Sequence, residues 1–199
     1  VVASPTEFHL ESGLVLAEAG VHTMIEKPIA SDVGQADQLI DAFDQAEVVG
    51  CVGHIERFNP AIRSMRDRIS GGDLGDLYQI STRRQGPFVA RVTDVGVIRD
   101  LGTHDIDLAM WLVGEQIVAV SSQVAHRMGR KYEDLASITS RFSGGVVGNH
   151  LVNWLSPFKE RTVQVTGERG TFIADTATAD LTYWANGETG TDWGALLHT

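Results

Sequence analysis

Residues 21–54 read VHTMIEKPIASDVGQADQLIDAFDQAEVVGCVGH, and their pattern decides the fold of the opening part of the chain. Thr23, Met24 and Ile25 form a short apolar strand that ends at Glu26-Lys27-Pro28. Hydrophobic spacing then predicts a helix over 31–46, with Val33, Leu39, Ile40 and Phe43 on its apolar face. An apolar run at 48–52 is the next strand. Two strands joined by a helix of this length lie parallel, with a right-handed crossover. Upstream, Val1-Val2-Ala3 reads as the end of a further strand, and Ser4-Pro5-Thr6 as a turn with Thr6 as N-cap. Leu10, Leu14, Leu16 and Ala17 then mark a helix that stops at Gly20. The opening segment is therefore α/β, with helices covering a parallel sheet. Cys51 lies inside an apolar run and reads as a core residue.

Beyond Glu56 the rhythm changes. A helix is predicted over 59–70, with Asn59 as cap and Pro60 at its first position, broken by Gly71-Gly72. A strand follows at 77–82, and a second helix at 101–112 that ends at Gly114. The remainder is β-rich: 117–125, 136–142, 146–154, 162–166, 171–174 and 181–184 are short runs split by turns such as Ser143-Gly144-Gly145. Close turns favour a large open, mainly antiparallel sheet, so an α/β part is followed by an α+β part. Residues 187–199 carry no clean period.

Composition narrows the function. The chain has 199 residues, a formal charge of −10 and a single cysteine. The acidic balance argues against nucleic acid or an anionic membrane as partner, because both demand clustered lysine and arginine. One cysteine permits neither an internal disulfide nor a cysteine metal cage, which fits a reducing, cytoplasmic setting. No apolar run approaches the ~20 residues of a membrane span. There is no Gly-x-Gly and no Gly-x-Ser-x-Gly, so these residues hold neither a complete dinucleotide fingerprint, nor a Walker loop, nor a serine-nucleophile elbow.

Three groups of residues have the types and spacing that carry chemistry. Lys27 sits at the carboxyl end of a parallel strand, where open α/β sheets place ligands, and Pro28 holds its backbone extended. A surface lysine at a strand end is the competing reading. In Asp100-Leu101-Gly102-Thr103-His104-Asp105-Ile106-Asp107, a helix starting near Leu101 makes Asp100 its N-cap and brings His104 one turn later to the same surface. A carboxylate that orients an imidazole makes a general base, and histidine's unperturbed pKa of about 6.5 suits proton exchange. A capped helix with a packed histidine competes with that reading. Metal binding by Asp100, His104 and Asp107 is weaker, since acidic clusters at helix starts ordinarily answer the dipole, and no metal is expected. In His54-Ile55-Glu56-Arg57-Phe58-Asn59-Pro60, Arg57 suits bidentate pairing with a phosphate or carboxylate. Arg83-Arg84, at the end of a strand, read as positive charge added to a site, and the competing reading is that one of them faces solvent.

Taken together, Ser4-Pro5-Thr6 with His9, Glu26-Lys27-Pro28, Glu56-Arg57-Phe58-Asn59-Pro60, and Asp100-x-Gly-x-His104-x-x-Asp107 followed by Trp111-Leu112 occur in this order. Through them the chain resembles the glucose-fructose oxidoreductase and inositol dehydrogenase family (Gfo/Idh/MocA). Asn153-Trp154-Leu155-Ser156-Pro157 with Lys159 and Arg161 looks like the branch that oxidises the 3-hydroxyl of UDP-N-acetylglucosamine-type sugars. The resemblance implies that residues 1–56 are the C-terminal portion of a Rossmann-like dinucleotide-binding domain. Residues 57–199 would be a substrate-binding and oligomerisation domain, incomplete at its end. It implies NAD or NADP as cofactor and a sugar or nucleotide sugar as substrate, in a cytoplasmic homo-dimer or homo-tetramer.

By the same resemblance Lys27, Asp100 and His104 are catalytic: His104 as base, Lys27 as polariser of the reacting oxygen, Asp100 as orienter, with Lys27 and His104 exchangeable. Ser4, Pro5, Thr6, His9, Glu26 and Lys27 would line the cofactor, and Arg57, Asn59, Arg84 and His104 the substrate. The peptide before Pro28 is sometimes cis in the family. The family's first strand, glycine-rich turn and ribose selector are expected before Val1, so the chain is expected to be a portion of a longer enzyme. A noncatalytic binding or dimerisation module derived from the family is the alternative.

Overall fold

The computed structural model describes residues 1–88, 90, 92 and 95–187, so the tail after Gly187 lies outside the described residues. The chain forms two compact units, Val1–Ile55 and Glu56–Thr199. Among the described residues no helix is long and apolar enough to cross a membrane.

In the first unit, strands β1 (Thr23–Ile25) and β2 (Gly50–Val52) pair in parallel, and Val2 bridges to Ile25 on the other side of β1, also in parallel. Helix α1 (His9–Glu18) joins Val2 to β1, and α2 (Val33–Gln45) joins β1 to β2. Asp32 caps α2 by accepting from the Gln35 N–H at 2.9 Å. Val2, Ala17, Ile25, Ala30, Leu39 and Phe43 close one apolar cluster between helices and strands. Gly13 is required in it, because a Cβ there would sit 2.4 Å from Leu39 Cδ2.

Three sequence expectations need correction here. Thr6 opens a 3-10 turn, Thr6–Phe8, and is not a cap; extended Pro5 precedes it. Val33 is 76% exposed and Ile40 is exposed, so the buried stripe of α2 is narrower than its hydrophobic pattern. Cys51 is exposed, not core, because β2 is the last strand of this sheet and nothing pairs its outer edge among the described residues.

The second unit is built on seven strands: β3 (Leu77–Pro87), β4 (Ile117–Ala125), β5 (Leu135–Phe142), β6 (Val147–Asn153), β7 (Leu155–Gly167), β8 (Gly170–Asp175) and β9 (Asp180–Ala185). Their order is β4-β5-β6-β3-β7-β8-β9, antiparallel throughout except for the parallel pair β3 and β6. The sheet is thus mixed and mainly antiparallel. Helices α3 (Pro60–Ser70) and α4 (Thr103–Val113) cover one face, packing Ile62, Met65, Leu108 and Leu112 against Ile80, Phe142, Val163, Val165 and Phe172. Asn59 does cap α3, accepting from the Ala61 N–H at 3.0 Å, and Gly114 ends α4 in the left-handed region. Strands β3 and β7 run well past the predicted 77–82 and 162–166. Their polar ends, such as Arg83-Arg84-Gln85 and Lys159-Glu160-Arg161, carry no apolar alternation to reveal them.

Near the middle of the covered face lies His150, 2% exposed. Thr82 Oγ1 lies 3.0 Å from its Nδ1 and Ser140 Oγ 3.2 Å from its Nε2. The room comes from Gly148, where a Cβ would fall 2.1 Å from Ser140 Oγ and 2.8 Å from His150 Nε2. Burial pushes the His150 imidazole down to about 4, so the folded protein holds it neutral. The unfolded chain takes up a proton near pH 6.5 and the folded one only near pH 4, so this contribution is whole above pH 6.5 and is lost as pH falls toward 4. Between pH 7 and pH 5 the protein should therefore lose about 2 kcal/mol of unfolding free energy through this residue. Denaturant titrations of the wild type and His150→Gln at both pH values check it; equal losses in the two proteins would refute the assignment.

Candidate active site

The ends of β3, β6 and β7 on the covered face, with the start of α4 above them, gather most of the charged side chains singled out in the second unit. Arg84 is 3% exposed on β3. Its Nε donates to Asp105 Oδ1 of α4 at 2.6 Å and its Nη1 to Glu56 Oε1 at 2.8 Å. Burial works to discharge this guanidinium, but the Asp105 and Glu56 carboxylates outweigh it and hold the Arg84 pKa above its ordinary value. Arg83, the next residue, points the other way and is exposed, as strand alternation requires. Arg84, expected as a substrate contact, is therefore taken up by two internal carboxylates.

Arg57 makes a second clamp on the same helix. Its Nε donates to Asp107 Oδ2 at 2.9 Å and its Nη2 to Asp107 Oδ1, the bidentate geometry its sequence context suggested. The partner is a carboxylate of α4, and the guanidinium also lies 5.9 Å from the Trp111 ring centre. Asn59, the remaining expected substrate contact outside α4, is occupied at both ends of its amide: Oδ1 caps α3, and Nδ2 donates to the Thr176 carbonyl at 2.9 Å.

Asp100 is not an N-cap. It lies inside a π-turn, Ile98–Gly102, that leads into α4; Gly102 holds the cap position and no side chain caps there. The Thr103 N–H reaches back to the Ile98 carbonyl, a five-residue span that widens the turn. Asp100 and His104 are both half-buried, four positions apart through this turn. Asp105 and Asp107, on either side of Ile106, fix the helix that carries His104.

Residues not assigned from the sequence complete the set. Arg161 of β7 stands opposite Arg84 in register, and its Nη1 donates to the carbonyls of Gln85 at 3.2 Å and Glu160 at 3.1 Å. Burial and the Arg84 charge draw its pKa below the ordinary value, against Asp105, Glu56 and Asp100. Asp105 carried no signal beyond an acidic helix start, because its partner lies 21 residues away on another element.

In the first unit the expected cofactor residues gather at the carboxyl ends of parallel strands. His9 is 1% exposed, with Nδ1 3.0 Å from the Pro28 carbonyl and Nε2 2.9 Å from the Ser4 carbonyl. It lies between the segment after Val2 and the segment after β1, with each ring nitrogen facing a main-chain carbonyl. The Lys27–Pro28 peptide is cis. Glu26 lies against Gly53 beyond β2, where a Cβ would come within 3.1 Å of its Oε2. Ser4 Oγ is buried without a hydrogen-bond partner among the described residues. An orphaned hydroxyl at a strand's carboxyl end fits a polar ligand there, as a nicotinamide dinucleotide on this fold requires.

Comparison with known proteins agrees with both units. A family model described as oxidoreductase family, NAD-binding Rossmann fold, matches residues 1–54, and one described as GFO/IDH/MocA C-terminal domain matches residues 62–173. UDP-N-acetylglucosamine 3-dehydrogenase of Acidithiobacillus ferrooxidans is 34% identical over 148 residues, covering 74% of this chain and 46% of that protein. Myo-inositol 2-dehydrogenase of Thermotoga maritima is 26% identical over 187 residues, covering 88% and 55%. A solved structure of the Acidithiobacillus ferrooxidans enzyme superposes with a TM-score of 0.85 at 29% identity, covering 92% of this chain and 59% of that one. The chain spans about half the length of the curated relatives it matches.

The Arg84–Asp105 pair makes a stability prediction. Arg84→Met strands a buried carboxylate and should cost about 3–5 kcal/mol, whereas adding Asp105→Leu should recover most of the loss. Chemical denaturation of both variants measures it; a double variant as unstable as the single one would show that the pair itself, not the stranded charge, matters.

Proposed function

The chain belongs to the GFO/IDH/MocA oxidoreductase family, and from that premise we propose that it is part of an NAD(P)-dependent dehydrogenase acting on a hydroxyl of a sugar or nucleotide sugar. The observation that carries this reading is the double clamp on α4. Asp105 and Asp107, one and three positions after His104, are each gripped by an arginine, so the imidazole is presented on an immobilised helix with Asp100 one turn before it. Rigid presentation of a base is what proton transfer at a fixed carbon demands.

NAD or NADP, when bound, would supply the two-electron acceptor for a hydride from the carbinol carbon. The chain's own residues manage the proton and the oxygen. His104 takes the hydroxyl proton as the C–O bond becomes a carbonyl, and Asp100 fixes its ring orientation. Lys27, at the carboxyl end of β1, has the role of polariser, steadying negative charge that develops on a reacting oxygen. The buried Ser4 hydroxyl, with Pro5, Thr6 and Glu26, holds the dinucleotide, and His9 braces that wall. Arg57, Arg84 and Asn59 act by positioning, since each is engaged internally.

We place the working molecule in the cytoplasm as a homo-dimer or homo-tetramer that assembles through the open face of the seven-stranded sheet. Support for the setting is the single cysteine, and for the assembly a face left uncovered by α3 and α4.

In the full-length protein, Lys27→Met should lower the rate of NAD(P)H formation by about 10²–10⁴, and His104→Asn likewise, with the unfolding midpoint unchanged. Absorbance of the reduced nicotinamide reports the rate and circular dichroism the fold. Wild-type turnover in either folded variant would remove that residue from catalysis.

A further inference from the structure

The double clamp holds the body of α4, and a separate set of contacts holds the turn that precedes it. At the start of the π-turn two successive amides meet one residue of another element. The Val97 N–H donates to the Glu133 main-chain carbonyl at 3.0 Å, and the Ile98 N–H to Glu133 Oε1 at 3.0 Å. Amides at a helix start have no partner within the helix, and a carboxylate set there also answers the positive end of the dipole. Gly96 makes the room. A Cβ on it would fall 2.1 Å from both Glu133 carboxylate oxygens, so its bare backbone is what admits the cap.

Glu133 is itself held from behind. It lies in the loop between β4 and β5, next to Asp134, which is fully buried. Asp134 Oδ2 accepts from the Arg127 and Met128 N–H groups, each at 2.6 Å, and so folds the loop upon its own end. The Asp134 N–H donates to the Ala125 carbonyl and its carbonyl accepts from the Trp154 N–H, both at 3.0 Å, which seats that end on the sheet. The same loop grips the chain ahead of the π-turn. Arg130 Nη2 donates to the Val92 carbonyl at 2.8 Å, and its guanidinium carbon lies 4.3 Å from the Phe88 ring centre and 5.0 Å from that of Trp154.

Resting on the dehydrogenase reading, we infer that Glu133 is a positioning residue for Asp100 and His104: by capping the π-turn from the β4–β5 loop, it sets where both side chains stand. It touches no reacting atom. Asp100 follows the capped Ile98 amide by two residues and His104 by six, across a turn whose own hydrogen bonding is wide. The Arg84 and Arg57 clamps act on Asp105 and Asp107, beyond that turn, so they do not hold its entry. Glu133 does, from 35 residues away in the chain. A proton-transfer pair presented at a fixed carbon needs both ends of its support held.

The test uses the full-length protein as wild type, Glu133→Ala, Glu133→Gln, Gly96→Ala and the double variant Gly96→Ala/Glu133→Ala. Amide hydrogen exchange read by mass spectrometry compares residues 96–104 with β5 and β6 as internal reference. NAD+ reduction with UDP-N-acetylglucosamine and with myo-inositol reads turnover. Glu133→Ala should speed exchange over 96–104 by at least about 10-fold, the worth of one hydrogen bond to a charged group, and leave β5 and β6 as in the wild type. Its kcat should fall about 10- to 100-fold with KM within about 2-fold. Glu133→Gln, whose amide oxygen still accepts from Ile98, should restore most of kcat. Gly96→Ala displaces the carboxylate without removing it and should resemble Glu133→Ala. The double variant should be no worse than the poorer single one, because both changes remove the same bond.

Exchange over 96–104 unchanged in Glu133→Ala, or raised equally throughout the sheet, overturns the inference. So do wild-type kcat in a Glu133→Ala protein, a loss carried by KM, and additive losses in the double variant. If the wild type reduces no NAD+ with either probe, the dehydrogenase reading fails on those substrates. The exchange comparison then decides alone whether Glu133 orders the turn that bears Asp100 and His104.

Discussion

The second unit is organised around one buried charge. Arg84 is a guanidinium removed from water in the middle of a sheet, and such a group persists only where carboxylates are brought to it. Glu56 comes from the segment before α3 and Asp105 from α4, 28 and 21 residues distant in the chain. Each must arrive in one orientation, so the pairing fixes where α4 crosses β3. Replacing an ion pair of this kind by apolar residues is often no loss of stability. Its value here is geometric: apolar packing of Leu108 and Leu112 would tolerate a small slide of the helix, and a 2.6 Å charged hydrogen bond does not.

In the first unit the ordering element is an imidazole set between two main-chain carbonyls. His9 spans the carbonyls of Ser4 and Pro28, tying two segments that leave adjacent parallel strands. Parallel strands aim their carboxyl ends together, which is why such sheets place ligands at that edge. The tie keeps the segments that carry Ser4 and Lys27 at that edge. A residue read as a cofactor contact is thus packed inside the fold, 1% exposed.

Much of this was legible in the sequence, and the reasons for the misses are physical. Helix limits at Asn59 and Gly114 follow from caps that act within a few residues, and β4 matched its predicted span because its neighbours are turns. Strand ends with polar side chains were invisible, since Arg83 to Gln85 and Lys159 to Arg161 carry no apolar alternation to mark a strand. Cys51 and Val33 were misplaced because hydrophobicity signals burial only where another element arrives to cover it. Ion pairs were beyond reach for the same reason: nothing local in Asp105 distinguishes it from a dipole-answering acid such as those beside it.

Asp100 shows how a small backbone change alters what spacing means. A regular helix starting at Leu101 would leave Asp100 spending its carboxylate on its own N-terminal amides. The π-turn instead supplies those amides with main-chain partners, as the Asp100 N–H bond to the Gly96 carbonyl and the Thr103 bond to Ile98 show. No side chain caps α4 at Gly102. Wide turns of this kind cost regular hydrogen bonding and recur at functional sites. Gly102 is not what permits the turn, since a Cβ there would meet Ile98 and Val152 only at ordinary contact distance. Local helical regularity is given up one turn before His104, and main-chain bonds do there what a side-chain cap does at the start of α2 and α3.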